Sequence, residues 1–309
     1  SADDADLGFV YGRPQIAKMN NGKWVAIVPN GYNSIGDGQA HLFIIDLETG
    51  TLIKKISTGV GSRATGLPCT DGASNCNGLS SPTIADIDGD FIVDRIYAGD
   101  LHGNMWVFDV SSSSIADWDI AFDDGTKRPL FTACANDGAC SVLPTDNRQA
   151  ITVAPEIIFH PNKTSPSTEP NILVYFGTGQ FIAVNDQINS TTQSFYAVWD
   201  SGTEPAIAGG ADRAANLRRS NLQQQGFYST TNAGGDAVFD VRGVNADGSF
   251  SANAAVAYDI AGEQGWFIDF ELDQSGTDLL DRGRSIISPL VINEVVVFVI
   301  TVPTGNICQ

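Results

Sequence analysis

The sequence predicts an all-β fold, a modified β-propeller with long loop insertions and one short helix. Three observations predict it. Short apolar runs rich in β-branched and aromatic residues alternate with Gly/Asn/Asp turns along the whole chain. A proline followed by an apolar pair recurs at the start of successive units. Several of the later runs end in Asp and a tight corner.

The runs are Trp24–Val28, Leu42–Asp46, Arg95–Ala98, Met105–Asp109, Ile172–Phe176, Phe195–Trp199, Trp266–Phe270 and Val295–Val302. Each has the length of a strand rather than of a helix. The repeated opening phrases are RPQIAK, SPTIAD, APEIIF and SPLVIN, with Pro14, Pro82, Pro155 and Pro289. A second strand and a turn follow each of them. A third strand then closes on Asp in HLFIIDLETG, NMWVFDVSS and SFYAVWDSG. An Asp side chain accepts hydrogen bonds from amides two or three residues on, and Gly supplies the positive φ of the corner. Pro14 and Pro82 lie 68 residues apart, and Pro82 and Pro155 lie 73 apart. A bare four-stranded blade takes about 40–45 residues, so each unit is a blade with inserted loops or with part of another blade. Radial repetition explains the pattern, because a lone blade cannot bury both of its faces.

One helix is expected over Ala211 to Gln225, which uses helix formers and stops before Gly226. It lies in an insertion near residues 201–264 of a single domain covering 1–309. No returning strands follow the fourth unit, so either the chain is a fragment or the ring closes in an unusual way; a C-terminal fragment of a longer protein is expected. A start in mid-phrase at Ser1 predicts a processed or trimmed N-terminus.

Lys and Arg number 17 against 36 Asp and Glu, a net charge of -19. Such a surface repels phosphate backbones, which sets nucleic acid aside. No run reaches the ~18 apolar residues of a membrane span. Cys69 with Cys76, and Cys134 with Cys140, bracket short polar loops and are expected to pair in an oxidising compartment. Cys308 is left over, with a partner beyond this chain.

The segment that carries chemistry is Asp86-Ile-Asp-Gly-Asp-Phe-Ile-Val-Asp94. Calcium is a hard ion that takes six to eight oxygens at ~2.3–2.6 Å. Carboxylates of Asp86, Asp88 and Asp90 converge if the chain curls at Gly89. Ile92 would add its backbone carbonyl, and Asp94 would close the site. Four aspartates in nine residues repel one another without a cation. An EF-hand is excluded, since Tyr97 stands where the bidentate Glu belongs and the flanks read as strands. Asp123-Asp124-Gly125 and Asp273 to Asp281 lack this alternation and read as turns.

The run from Ser81 to Val110, with GRPQIAKMNNGKWVAIVPNGYNS, HLFIIDLETGTLIKKISTGVG, ILVYFGTGQFI and QSFYAVWD, resembles the C-terminal β-propeller of the type IV pilus tip-associated proteins, the PilY/PilC group. The resemblance implies a calcium loop at Asp86, Asp88, Asp90, Ile92 and Asp94, with Asp90 where the family often has Asn. It implies a secreted or cell-surface module at the pilus tip, with pilus subunits and host-cell receptors as partners. That module would regulate pilus extension and retraction and support attachment. Integrin binding is not carried over, because Asp281–Arg284 reads Asp-Arg-Gly-Arg.

Catalysis finds no constellation. There is no G-x-S-x-G elbow, and His41, His102 and His160 are scattered, His102 in a turn. Gly177–Gly179 is a strand-end turn. A quinoprotein dehydrogenase-like propeller is the enzymatic alternative, and it lacks an adjacent Cys-Cys pair. A carbohydrate-binding propeller is the other, but its acidic loops usually repeat and here there is one. Trp24, Trp106 and Trp199 could stack on sugars, although their strand positions favour the core.

Overall fold

The computed structural model describes residues 4–69, 74–123, 125–135, 147–161, 170–187, 189, 191–202, 217–231, 237–245, 249–251, 256, 258, 262–270, 283–293 and 295–303. Cys140, Cys308, Asp124 and Asp273 to Asp281 lie outside these residues.

Each repeated proline stands one residue before a strand. Pro14 precedes β1 (Gln15–Lys18), which pairs antiparallel with β2 (Trp24–Pro29), then β3 (Gln39–Asp46) and β4 (Leu52–Gly61). Pro82 precedes β5 (Thr83–Ala85), followed by β6 (Arg95–Gly99), β7 (Asn104–Asp109) and β8 (Asp119–Ile120), with β9 (Phe131–Thr132) also on β7. Pro155 precedes β10 (Glu156–Phe159), and β11 (Ile172–Gly177) and β12 (Ser194–Asp200) complete the inner part of the third sheet. Three further strands, β13 (Gln223–Thr231), β14 (Ala237–Val244) and β15 (Phe250–Ser251), come next in sequence, and β16 (Gly265–Asp269) then returns to β12. Pro289 precedes a hairpin of β17 (Leu290–Ile292) and β18 (Val295–Val297). Proline has no N–H to give a ladder, so the first position of a strand tolerates it.

Successive side chains of a strand point to opposite faces, and the three cores follow from that alternation. Val25, Ile27, Leu42 and Ile44 of the first sheet meet Ile96, Ala98, Trp106 and Phe108 of the second. The other face of the second sheet, Tyr97, Met105 and Val107, meets Ile172, Val174, Phe176 and Tyr196. The remaining face of the third sheet, Leu173, Tyr175, Phe195 and Trp199, packs on Val291, Val296 and Phe298. Every sheet but the outer ones is therefore buried on both sides, as blades around an axis are.

The Asp corners form as expected. Asp46 Oδ1 accepts from the Glu48 and Thr49 amides at 2.9 and 3.0 Å, and Gly50 has φ +68°. Asp109 accepts from Ser111 N at 3.0 Å and Asp200 from Gly202 N at 3.0 Å. Buried polar groups tie the blades together. Arg95 Nη1 donates to Asp200 Oδ2 at 2.9 Å, and the Tyr97 hydroxyl donates to the same oxygen at 2.7 Å. Burial works against the Arg95 charge, but the Asp200 carboxylate more than offsets it and holds the pKa above the ordinary arginine value. Asp100, fully buried, accepts from Asn77 Nδ2, Asn104 N and Nδ2, and Trp106 Nε1 at 2.7 to 2.9 Å.

Two expectations change. The described part of Ala211 to Gln225 is not an α-helix: a short 3₁₀ turn at Arg219–Asn221 leads into β13, whose Gln223 to Gln225 run parallel to β16. Gly226, expected to end a helix, lies inside that strand opposite Arg242. The expected strand at Val295–Val302 is regular only over Val295–Val297. Trp106 and Trp199 are buried as expected, whereas Trp24 is 58% exposed.

A convergent carboxylate loop between β5 and β6

The loop from Asp86 to Asp94 joins β5 to β6, and apolar neighbours fix its ends. Ile84, Val93 and Ile96 enter the core between the first two sheets, while Ile87 packs on the next core. Between these anchors the chain curls through two left-handed residues, Gly89 at φ +82° and Phe91 at φ +66°. For a side chain as large as Phe that backbone is strained. The loop holds it by a hydrogen bond from Phe91 N to Asp86 Oδ2 at 2.7 Å. Asp86 Oδ1 accepts from Gly89 N at 2.7 Å and from Asp90 N at 3.2 Å. Asp88 Oδ1 accepts from Asp90 N at 3.2 Å, and Asp94 Oδ2 accepts from Ile87 N at 2.7 Å.

Asp86, Asp88 and Asp94 each bring one carboxylate oxygen to within 4.8 Å of the others. Two oxygens bound to one calcium at about 2.4 Å lie at most about 4.8 Å apart, so this spacing is compatible with a shared ion. Burial pushes the Asp94 pKa above the ordinary carboxylate value; the Ile87 amide opposes this, and the charges of Asp88 and Asp86 add to it. The site is one that a positive charge would relieve. Asp90, expected as a ligand, stands outside the convergent three, and its Oδ1 accepts from Ile92 N at 2.8 Å. That hydrogen bond turns Asp90 into a cap of the loop and holds Ile92, the expected carbonyl donor, between Asp90 and Asp94.

Sequence reasoning missed a second cluster, Asp6 with Asp37 and His41. There Lys55 Nζ already supplies a cation, 2.8 Å from Asp6 Oδ2 and 3.1 Å from Asp4. His41 Nε2 lies 3.0 Å from Asp37 Oδ1. Burial opposes the Asp6 charge, yet Lys55, the Asp37 amide and His41 together hold its pKa below the ordinary value. A proximity of residues 6, 37, 41 and 55 has no short-range signature in the sequence. A separate cavity of about 180 Å³ sits where the units begin, lined by Tyr11, Tyr32, Ser80, Thr152, Phe181 and Ile286 among others.

One cysteine pair and one acidic turn fall as read. Cys69 and Cys76 form a disulfide. Cys134 is disulfide-bonded as well. Asp123 Oδ1 accepts from Gly125 N at 2.9 Å, a simple turn. His102 sits in the β6–β7 turn, its Nε2 3.1 Å from the Cys76 carbonyl. Among the described residues no helix is long and apolar enough to cross a membrane.

The family profile described as the PilY1 beta-propeller domain matches residues 2–240, which includes the carboxylate loop and the first three proline-opened units. The chain belongs to the PilY1 β-propeller family. A PilY1 type IV pilus biogenesis factor of Pseudomonas aeruginosa is 32% identical over 99% of this chain and 24% of its own length. A PilY1 homolog of Xylella fastidiosa is 38% identical over 70% of this chain and 14% of its own length. The crystal structure of the Pseudomonas aeruginosa PilY1 C-terminal domain superposes with a TM-score of 0.68 and 29% identity, covering 98% of this chain and 57% of that one. The chain thus spans about a quarter or less of these curated relatives and somewhat over half of the solved PilY1 domain.

Proposed function

We propose that this chain is the calcium-binding propeller module of a type IV pilus biogenesis factor, working at the cell surface without catalysis. The observation that carries the proposal is that Asp86, Asp88 and Asp94 each bring a carboxylate oxygen to within 4.8 Å of the others, within a blade of a PilY1-family fold. A bound calcium ion would supply the positive charge these carboxylates need, and Asp94, strand-anchored at β6, would report its presence to the blade. The partners on this reading are pilus subunits and, for attachment, host-cell receptors. Occupancy of the loop would regulate extension against retraction.

The family is named for pilus biogenesis rather than for a reaction, which supports the non-enzymatic reading.

The test is pilus display in a piliated bacterium whose parent protein carries Asp94→Ala. Surface pili should change in number in the variant, and chelation of calcium should alter wild-type cells in the same sense. Identical piliation in both strains, with and without chelator, would reject the proposal.

A further inference from the structure

The carboxylate loop does not stand alone on its blade. The turn between β1 and β2, residues 19–22 of the neighbouring blade, is docked against it. Val93 N donates to the Lys18 carbonyl at 3.1 Å, and Met19 and Val93 form a parallel bridge. Both side chains are buried in the same core. The turn itself is tight, with Gly22 N bonded to the Met19 carbonyl at 2.8 Å and Gly22 at φ +82°. From its tip the Asn20 amide reaches across the seam. Asn20 Nδ2 lies 3.3 Å from the Val93 carbonyl and 3.5 Å from Asp94 Oδ1.

A neutral amide is the donor that such a place calls for. Lys or Arg here would neutralise Asp94 and take the cation's role, whereas Asn orients the carboxylate and leaves its charge intact. Groups that hydrogen-bond a metal ligand from outside fix its orientation and commonly change affinity tenfold or more when removed. At 3.5 Å the contact to Asp94 sits at the long limit of a hydrogen bond. With the loop empty, Asp86 and Asp88 repel Asp94. A cation removes that repulsion and fixes the oxygen that Asn20 addresses.

We infer that Asn20 is a positioning residue for Asp94, and that the loop is a clasp between the first two blades: filling it tightens the seam at Lys18 and Val93. This inference rests on the calcium reading of Asp86, Asp88 and Asp94. It adds a residue 74 positions away from Asp94 to the site. It also gives occupancy a route out of the loop, since the seam joins the blade that binds the ion to its neighbour.

The test combines calcium titration by calorimetry with amide hydrogen exchange, on this chain and its Asn20→Leu variant. In the wild type, calcium should slow exchange at Val93 N, whose acceptor is on the other blade, as well as at Asp94 N, whose acceptor is Ala85 within the same blade. In Asn20→Leu, calcium affinity should fall about tenfold. Slowing should persist at Asp94 N and be lost at Val93 N. Wild-type affinity in Asn20→Leu with undiminished slowing at Val93 would overturn the clasp. So would a wild-type chain that binds calcium and leaves Val93 exchange unchanged, a result that needs no variant to fold. A wild-type chain with no calcium binding would instead overturn the calcium reading, and the clasp with it.

Discussion

Replacing Asp200 with Ala should be among the most damaging single changes in the chain. Asp200 is fully buried at the end of β12, and its Oδ2 receives both Arg95 and the Tyr97 hydroxyl from the neighbouring blade. Arg95 is itself only 6% exposed. Removing the carboxylate strands a guanidinium between two cores, and breaking a buried pair in this way costs about 3–5 kcal/mol. The unpartnered Tyr97 hydroxyl adds about 1 kcal/mol or more. Against a total stability of roughly 5–15 kcal/mol, that is a large share. With a urea slope of about 3 kcal/mol/M the unfolding midpoint should fall by roughly 1 M or more. Urea titration followed by tryptophan fluorescence reads this directly. Removing both charges, as in Arg95→Met with Asp200→Leu, should recover most of the loss, because apolar groups of similar volume replace buried pairs at little cost. An Asp200→Ala midpoint within 0.2 M (roughly 0.6 kcal/mol) of wild type would refute the reasoning.

Two further outcomes are expected. The Lys23 ammonium, ahead of the Thr49 amide, holds the Asp46 pKa down at about 2. A carboxylate depressed in the folded state stabilises at pH above its ordinary value of 3.8, and that contribution disappears as pH falls toward 2. Melting temperature should therefore drop more steeply between pH 4 and 2 in the wild type than in Asp46→Asn; parallel curves would contradict this. Gly99→Ala should destabilise the seam between the second and third units by about 1–3 kcal/mol, because an added Cβ would lie 2.2 Å from Ile151 Cγ2. Chemical denaturation showing no loss would mean that Ile151 moves aside freely.

What the sequence made legible is what short-range chemistry decides. Pro14, Pro82, Pro155 and Pro289 marked the strand starts because proline cannot donate to a ladder. Asp46, Asp109 and Asp200 marked the corners because a carboxylate caps amides two or three residues on. Both devices act within a few residues, so the pattern shows itself. The strand at Gln223 to Thr231 was not legible. Its glutamines favour a helix only weakly, by tenths of a kcal/mol per residue, and pairing with β16, about 40 residues on, overrides that preference. In the loop, the spacing pointed to four aspartates, of which Asp86, Asp88 and Asp94 lie together. It could not show that the Asp90 carboxylate turns to the Ile92 amide. Asn20 meets the loop through blade packing, and the cluster around Lys55 forms through strand pairing within the first sheet; neither shows until the strands are placed.

Calcium titration of the purified chain, wild type beside Asp94→Ala, is the most direct test of the loop's role. Binding should be saturable at one site in the wild type and absent in the variant. Wild-type stability should rise by about 2.7 kcal/mol when free calcium is a hundred times the dissociation constant. Equal affinity in the two proteins, or no calcium-dependent stabilisation of the wild type, would contradict it.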